Sequence, residues 1–194
     1  TIATSKHFAV HSGPESLRHG FDVDVSDVDL YETYLEAFRM TVVDAKVQSI
    51  MSAYNRLRGA PASASSFLLD EVLRERWGFE GYVVSDCGAI GDILYNHKIV
   101  ETKEEAARIS LEGGCDLNCG STYLSLLSLS EHGLLNQEAL DKAVSRLFLS
   151  RFKLGMFDPE DKVPFSRLPI DLVGAQTHLD LAREAAQKSI VLLK

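Results

Sequence analysis

Short apolar runs alternate with longer amphipathic segments between Ile2 and Lys153. The apolar runs are short enough to be strands, and polar residues, Gly or Ser follow most of them. Alternation of this kind is typical of strand–helix units that build a parallel sheet, so the pattern predicts an α/β fold. The predicted strands cover residues 2–10, 47–54, 81–86 and 115–118.

The segments between and after these strands predict six helices. Ser26 can cap the first helix, in which apolar residues recur at every fourth position. Thr102 and Glu105 have the spacing of a capping box, and Gly78 and Gly155 are helix-stop residues. The predicted helices begin near Ser26, within 63–66 and at Thr102, and then cover about 122–132, 136–153 and 177–188.

The composition changes after the fifth helix. The stretch "FDPEDKVPFSRLP" holds three of the five prolines, which is typical of a linker. We therefore expect a first domain at 1–157, a linker at 158–176 and the start of a second domain at 177–194, where "SIVLL" would be a strand. Two architectures suit a parallel sheet in the first domain, a closed barrel and an open doubly wound sheet. No Gly-rich nucleotide-binding fingerprint follows any of the strands.

Charge and composition exclude several classes of function. The formal charge of -8 argues against a surface that binds DNA or RNA. No apolar run approaches the roughly 18 residues that span a bilayer, so we expect no membrane span. The N-terminus lacks an initiating Met and a cleavage site, and we expect the chain to be part of a longer protein.

The three cysteines are Cys87, Cys115 and Cys119. An odd number of cysteines implies no disulfide framework, so we expect buried thiols. Cys115 and Cys119 have no second Cys or His pair at zinc spacing, and we expect no metal site.

Polar residues stand at the end of every predicted strand. The carboxyl ends of parallel strands meet at one rim, so these residues predict a site there. Asp86 is its central acid, although Asp at a strand end is also a common turn residue. Cations at Lys6, His7 and Arg18 would keep it ionised and would bind sugar hydroxyls. The polar strand-end residues are Lys6, His7, Tyr54, Asn55, Ser85, Asp86, Asp116 and Asn118.

Six segments together resemble family 3 of the glycoside hydrolases. They cover almost the whole chain in the order found in that family. They are "KHFAVHSGPE", "VQSIMSAYNRLRGAP", "LLDEVLRERWGFEGYVVSDCGAI", "CDLNCG", "RLFLSRFKLGMFDPED" and "AAQKSIVLLK".

The resemblance implies a retaining, exo-acting beta-glycosidase with Asp86 as nucleophile. Lys6 and His7 match the pair that binds the terminal sugar, and Arg18 matches a further sugar-binding arginine. Met51 and Tyr54 match pocket-wall positions, although ordinary packing suits them as well, because residues three apart on a regular strand face opposite sides.

The resemblance also implies the architecture. The expected fold is the C-terminal half of a (β/α)8 TIM-like barrel, a linker, and the first helix and strand of an α/β sandwich domain. The acid/base glutamate is expected in the rest of the protein's own chain, beyond Lys194. The mechanism requires no cofactor, and the expected location is periplasmic or secreted.

The expected substrate is an oligosaccharide or an aryl or alkyl glycoside with a terminal beta-D-glucosyl residue. A beta-xylosidase or alpha-L-arabinofuranosidase is the alternative within the family, and the preference for glucosides over xylosides is slight. Small residues at Cys87 and Gly88 offer no aromatic platform for an aglycone. Two further alternatives are an N-acetylhexosaminidase that uses His19, which Leu17 disfavours, and a non-catalytic sugar-binding relative.

Overall fold

The structure, a computed structural model, describes residues 1–193. The chain divides into two compact units, Thr1–Leu154 and the segment from Gly155 onward. The domain and linker bounds expected from the sequence stay predictions, and Lys194 lies outside the described residues.

Three parallel strands form the central sheet of the first unit, in the order β1 (Thr4–Phe8), β3 (Ser49–Ser52), β6 (Tyr82–Ser85). Thr4 of β1 is paired with Ser49 of β3, and Ser49 is paired with Tyr82 of β6. The strands of the chain are β1 (Thr4–Phe8), β2 (Asp22–Val23), β3 (Ser49–Ser52), β4 (Arg56–Leu57), β5 (Ala60–Pro61) and β6 (Tyr82–Ser85). The mixed α/β fold predicted from the sequence is confirmed.

The fourth predicted strand is reduced to one bridge. Leu117 pairs in parallel with Val84, next to β6, and the amide of Ser85 donates to the carbonyl oxygen of Leu117 at 2.8 Å. The segment therefore lies where a fourth parallel strand belongs, but the regular pairing covers a single residue.

A second small sheet was not predicted. Strand β2 pairs in parallel with β4, and β4 pairs antiparallel with β5. Each of these strands has two residues, which is too short to produce an alternating pattern in the sequence.

The helical segments follow the predicted positions, with one addition. Ser26 caps the first helical stretch, Thr102 caps α4 and Asn136 caps α6, each by accepting a backbone N–H. The addition is α3, which the pattern did not reveal because it is short. The α-helices are α1 (Asp27–Asp29), α2 (Glu36–Arg39), α3 (Ala89–Tyr95), α4 (Lys103–Glu112), α5 (Leu126–Glu131), α6 (Gln137–Lys153) and α7 (Gln176–Ser189).

Wider and tighter helical turns extend several of these helices. The α1–α2 stretch contains π-helical turns at Leu30–Tyr34 and Met40–Asp44, and the helix predicted to begin in the serine cluster is π-helical at Phe67–Arg76. Glu105 does not complete a capping box, because its carboxylate accepts from the amide of Glu101 rather than from that of Thr102. The 3-10 turns are Glu15–Leu17, Ala62–Ala64, Thr122–Ser125, Glu160–Lys162 and Ile170–Leu172.

The hydrophobic core lies between the central sheet and the helices that precede and follow β3. Phe8 of β1 is fully buried and makes edge contacts with Phe38 and Trp77. These helices thereby fix the position of β1, where two site residues predicted from the sequence lie. The other large, fully buried side chains include Leu30, Leu35, Ile50, Leu68, Leu69, Leu73, Val83, Ile90 and Ile93.

Two apolar residues of α6 are exposed, Val144 and Phe148. They lie along a groove whose apolar wall also includes Ile2, Tyr82 and Leu117.

The unit from Gly155 onward holds α7 and two 3-10 turns, and its side chains are mostly exposed. Residues 190–193 form no strand, contrary to the prediction, because no described segment pairs with them. None of the helices in residues 1–193 has the length and apolar content that a bilayer crossing requires.

Candidate active site

The carboxyl ends of the three central strands meet at one edge of the sheet. The amide of Ala53 donates to the carbonyl of Phe8 at 2.7 Å, and the amide of Asp86 donates to that of Ser52 at 3.1 Å. These bonds hold the residues that follow β3 and β6 level with the end of β1. His7, Tyr54 and Asp86 come together here, as the sequence predicted for a common rim.

Asp86 lies directly after β6 and is 8% exposed. Its Oδ1 accepts a hydrogen bond from the amide of Cys87 at 2.7 Å, and its Oδ2 lies 3.3 Å from Nε2 of His7. Gly88 has a φ of +86° and turns the chain into α3, so the carboxylate stands on a tight turn. One oxygen is thus fixed by the backbone and the other lies beside His7.

The His7 imidazole is favoured in its neutral form. Burial lowers its pKa most, the nearby charge of Lys6 lowers it further, and the Asp86 carboxylate only partly opposes this. A neutral imidazole beside a carboxylate is able to offer one N–H donor without neutralising the acid.

Tyr54 lies two residues beyond the end of β3, so strict strand alternation no longer governs its direction. Its hydroxyl donates to the carbonyl oxygen of Cys87 at 2.9 Å. Burial raises the pKa of Tyr54, and the Asp86 charge raises it further. The phenol therefore stays protonated beside the acid and acts as a donor.

Arg18 reaches the site through Tyr54 and not through Asp86 itself. Its guanidinium carbon lies 5.7 Å from the centre of the Tyr54 ring, and its Nη1 pairs with Glu15 at 2.6 Å. Arg18 was expected across the mouth from Asp86, and in the structure it contacts the Tyr54 ring instead. The ring of His19 also contacts Tyr54, at 4.4 Å between centroids.

Lys6 and Met51 are peripheral in this structure. Lys6 is exposed on β1, and no ion pair links it to another described residue. It acts on the site through its charge, which lowers the pKa of His7. Met51 is partly buried in β3, opposite Val84.

Other polar residues predicted at the rim have structural contacts. Asn55 donates to the carbonyl of Ala9 at 3.2 Å, and Asn118 donates to the hydroxyl of Ser85 at 3.2 Å. Asp116 is buried beside β6, where its carboxylate accepts from the backbone amide of Val83 and from the guanidinium of Arg74, both at 2.8 Å. A position at a strand end predicts where a residue lies but not where its side chain points.

The structure adds residues that the sequence reasoning did not assign to the site. His11 lies 5.2 Å from His7 and 5.9 Å from Tyr54, measured between ring centres. Asp92 on α3 bonds to His19. The repeated histidines around "KHFAVH" were a signal for His11, whereas nothing in the sequence connects Asp92 with His19.

The cysteine prediction is wrong for two of the three residues. Cys87 and Cys119 form a disulfide, and only Cys115 is a free, buried thiol. Both bonded cysteines lie two residues beyond the ends of neighbouring sheet segments, Ser85 of β6 and the bridge residue Leu117, and Gly88 donates to the carbonyl of Cys119 at 2.7 Å, so the fold brings them together. Burial raises the pKa of Cys115 to about 12. Within residues 1–193 no three metal-ligating side chains converge.

Comparison with known proteins identifies close relatives by sequence. The model of the glycosyl hydrolase family 3 N-terminal domain matches residues 1–149. A xylan 1,4-beta-xylosidase of Xylanibacter ruminicola is 42% identical over 99% of this chain and 23% of its own length. An exo-1,4-beta-xylosidase of Emericella nidulans is 43% identical over 100% of this chain and 26% of its own length. The chain thus spans about a quarter of the relatives it matches.

Solved structures of related enzymes also match this chain over its whole length. A family 3 exo-beta-xylosidase in complex with a xylobiose aziridine activity-based probe superposes with a TM-score of 0.92 at 32% identity, covering 100% of this chain and 26% of its own. A beta-glucosidase from Erythrobacter marinus gives a TM-score of 0.89 at 33% identity with the same coverage. The sequence relatives, the fold and the family match agree. The chain belongs to glycosyl hydrolase family 3.

Proposed function

We propose that the full-length protein containing this sequence is a retaining, exo-acting beta-glycosidase in which Asp86 is the nucleophile. The observation that carries the proposal is the setting of Asp86: a carboxylate at the end of a buried strand, held by the Cys87 amide and facing His7 at 3.3 Å. A nucleophile needs a carboxylate held in a fixed orientation, and the Cys87 amide and the His7 ring hold Asp86 in this way.

In the proposed reaction, Asp86 attacks the anomeric carbon and forms a covalent glycosyl ester while the glycosidic C–O bond breaks. The leaving oxygen takes a proton from a general acid, and water then opens the ester as the same group removes a proton from it. The Cys87 amide fixes one oxygen of Asp86 and leaves the other free to attack. The Tyr54 hydroxyl stabilises the turn that holds both residues.

The remaining assigned residues would form the sugar-binding part of the site. The neutral imidazole of His7 can donate to a sugar hydroxyl, and Lys6 supplies a cation at the same edge. Arg18 would add a second cation near the Tyr54 ring, and Met51 an apolar wall. These roles follow from the family resemblance and from the grouping of the side chains.

The general acid is proposed to be a glutamate in the rest of the protein. In retaining enzymes the two carboxyl groups lie about 5–5.5 Å apart. The mechanism works with two carboxylates and requires no cofactor.

A terminal beta-D-xylosyl residue is the first choice of substrate, because the sequence relatives at 40–43% identity are named as xylosidases. This reverses the slight preference for glucosides drawn from the sequence. A terminal beta-D-glucosyl residue is the second candidate, because named beta-glucosidases superpose well, including one from Listeria innocua in complex with glucose at a TM-score of 0.87.

We further propose that residues of the first unit are the C-terminal half of a (β/α)8 barrel and that α7 opens a sandwich domain. Two observations support this, since successive barrel strands are adjacent. The parallel strands β1, β3 and β6 are neighbours in chain order, and Leu117 pairs with Val84 on the next edge of β6. The apolar groove beside α6 would be covered by further strands.

A periplasmic or secreted location is proposed as well. The bond between Cys87 and Cys119 supports it, because disulfides persist mainly in oxidising compartments.

The test is covalent labelling of the full-length protein with 2-deoxy-2-fluoro-xylosyl and -glucosyl fluorides, followed by peptide mapping. We expect the label on Asp86 and faster inactivation by the xylosyl reagent. Asp86→Ala should remain unlabelled, and Asp24→Ala, at an exposed acid, should label like the wild type. Label on another carboxylate would overturn the nucleophile assignment, and sugar binding without label or turnover would favour the non-catalytic alternative.

A further inference from the structure

A buried carboxylate holds the histidine beside the site. Nδ1 of His19 lies 2.7 Å from Oδ2 of Asp92, across 73 positions of sequence. The Asp92 side chain is 11% exposed, and its Oδ1 accepts from the side-chain Nδ2 of Asn96 at 2.5 Å. Both carboxylate oxygens are occupied by donors, which fixes the acid and requires a proton on Nδ1 of His19.

The other ring nitrogen of His19 has a different partner. Nε of Arg18 donates to Nε2 of His19 at 3.2 Å. Guanidinium nitrogens only donate, so Nε2 must carry a lone pair. The two neighbours independently select the same neutral tautomer, with the proton on Nδ1 and the acceptor on Nε2.

The resulting chain of carboxylate, imidazole and guanidinium ends at Tyr54. The His19 ring and the Arg18 guanidinium both lie against the Tyr54 ring, and the Tyr54 hydroxyl bonds to the carbonyl of Cys87. Arg18 also pairs with Glu15, but this ion pair is largely exposed and Glu15 is only three residues away in the chain. It therefore does little to fix Arg18 relative to the sheet.

Asp92 belongs to the same local structure as Asp86. The amide of Ala89 donates to the carbonyl of Asp86 at 3.0 Å, and the amide of Asp92 donates to that of Gly88 at 3.1 Å. The first turn of α3 therefore ties Asp92 to the turn that carries Asp86. His19 joins this turn to the separate loop that carries Arg18.

We propose that Asp92 and His19 are positioning residues that hold Arg18 in place to bind the sugar beside Asp86. The inference rests on the proposed function, in which Arg18 contacts substrate. Asp92 orients the ring and selects its tautomer, and Nε2 of His19 then aims the guanidinium. Neither residue needs to touch the sugar.

Three substitutions of the partly exposed His19 in the full-length protein separate its contacts. His19→Gln keeps an acceptor near the position of Nε2 but loses Asp92. His19→Asn keeps a donor near the position of Nδ1 but cannot reach Arg18. His19→Phe keeps the ring on Tyr54 and loses both hydrogen bonds.

For hydrolysis of 4-nitrophenyl beta-D-xyloside, we expect KM to rise about tenfold in His19→Phe and His19→Asn, the worth of one hydrogen bond to a charged group, with kcat within about threefold. His19→Gln should restore most of the affinity. Asp92→Ala alone should raise KM, and combining it with His19→Phe should raise KM little beyond the value of His19→Phe. His132→Gln is the control, because His132 is exposed and bonds only to a backbone oxygen.

Unchanged KM values across the series, or equal losses in all three variants including His19→Gln, would overturn the positioning role. Calorimetric titration of xylose into the same variants carrying Asp86→Ala provides the ranking without turnover. If the variants bind xylose in the expected order but the protein that retains Asp86 never becomes labelled there, the proposed catalysis is overturned and the positioning pair is supported. Equal xylose affinities in all variants, with normal labelling of the protein that retains Asp86, would overturn the positioning pair and support the proposed catalysis. A lack of both xylose binding and labelling would overturn both.

Discussion

The hydroxyl of Tyr54 donates a hydrogen bond to the carbonyl oxygen of Cys87, 2.9 Å away. Cys87 in turn donates its amide to the carboxylate of Asp86, so both polar groups of this one residue are engaged at the turn. The end of β3 thereby supports the turn that follows β6. A rigid support of this kind keeps a reacting carboxylate within a narrow range of positions.

Removal of that hydroxyl should slow the reaction without disturbing the fold. In Tyr54→Phe the ring still packs against Arg18 and His19, but the Cys87 carbonyl loses its donor. We expect kcat to fall about tenfold, the equivalent of one hydrogen bond, in steady-state kinetics of the full-length protein. Tyr95→Phe, at an exposed tyrosine, is the matched control. Equal kinetics for both variants would contradict a supporting role for Tyr54.

The disulfide should contribute strongly to stability. Its two cysteines are 32 positions apart, and cross-linking a loop of that length stabilises a protein by roughly 3–4 kcal/mol through the unfolded state. We expect Cys119→Ser to lower the free energy of unfolding in urea by about that amount, and reductant to affect the wild type in the same way.

Cys115→Ser controls for the loss of a cysteine, because it should keep the response to reductant. Alkylation of the unfolded, unreduced protein followed by mass spectrometry checks the pairing directly, and within residues 1–193 only Cys115 should react. Modification of all three cysteines would refute the bond.

Asp116 should be a structural acid and not a site residue. Its carboxylate accepts from Arg74, from Arg146 and from the amide of Val83, each at 2.8 Å. Burial raises its pKa, while the two guanidinium groups oppose that rise. Removal of one partner from a buried ion network typically costs about 3–5 kcal/mol.

Asp116→Ala should therefore lower the urea midpoint sharply, whereas Glu138→Ala, which removes an exposed pair with Lys142 on α6, should leave it unchanged. Where enough folded Asp116→Ala remains to assay, its KM should match the wild type. An unchanged urea midpoint for Asp116→Ala would show that the ion network contributes nothing to stability.

His97 should make stability depend on pH. It is 6% exposed, and its pKa is lowered, mainly by burial and then by Arg56. Because the unfolded chain binds the proton more readily, the contribution of His97 is complete above its unfolded pKa of about 6.5 and is lost as the pH falls through the lower folded value.

Thermal melting of the full-length protein between pH 7.5 and pH 5 measures this effect. His97→Leu should flatten the loss of melting temperature on acidification, and His132→Leu, at an exposed histidine, should not. A wild-type protein that melts at the same temperature throughout this range would disprove the prediction.

Local patterns in the sequence predicted the features that depend on neighbours in the chain. Ser26 and Thr102 cap their helices as predicted, each by accepting the amide three residues on, and the sequence alone carries that spacing. The run ending at Asp86 was predicted as a strand because five apolar or small residues precede a polar one. Parallel strands then bring His7, Tyr54 and Asp86 to one edge, which follows from the fold class.

Tertiary structure decided everything that joins distant positions. Cys87 meets Cys119, and Asp92 meets His19, only because the turn after β6 lies beside the segment at Leu117 on one side and the loop after β1 on the other. Asp116 was predicted at the rim with Asp86, yet it lies level with Val83 inside β6, where its carboxylate accepts from the amide of Val83 and from two arginines. The sequence determined which polar groups lie near the strand ends, and packing determined which of their side chains meet beside Asp86, since side-chain direction depends on long-range contacts that no local pattern encodes.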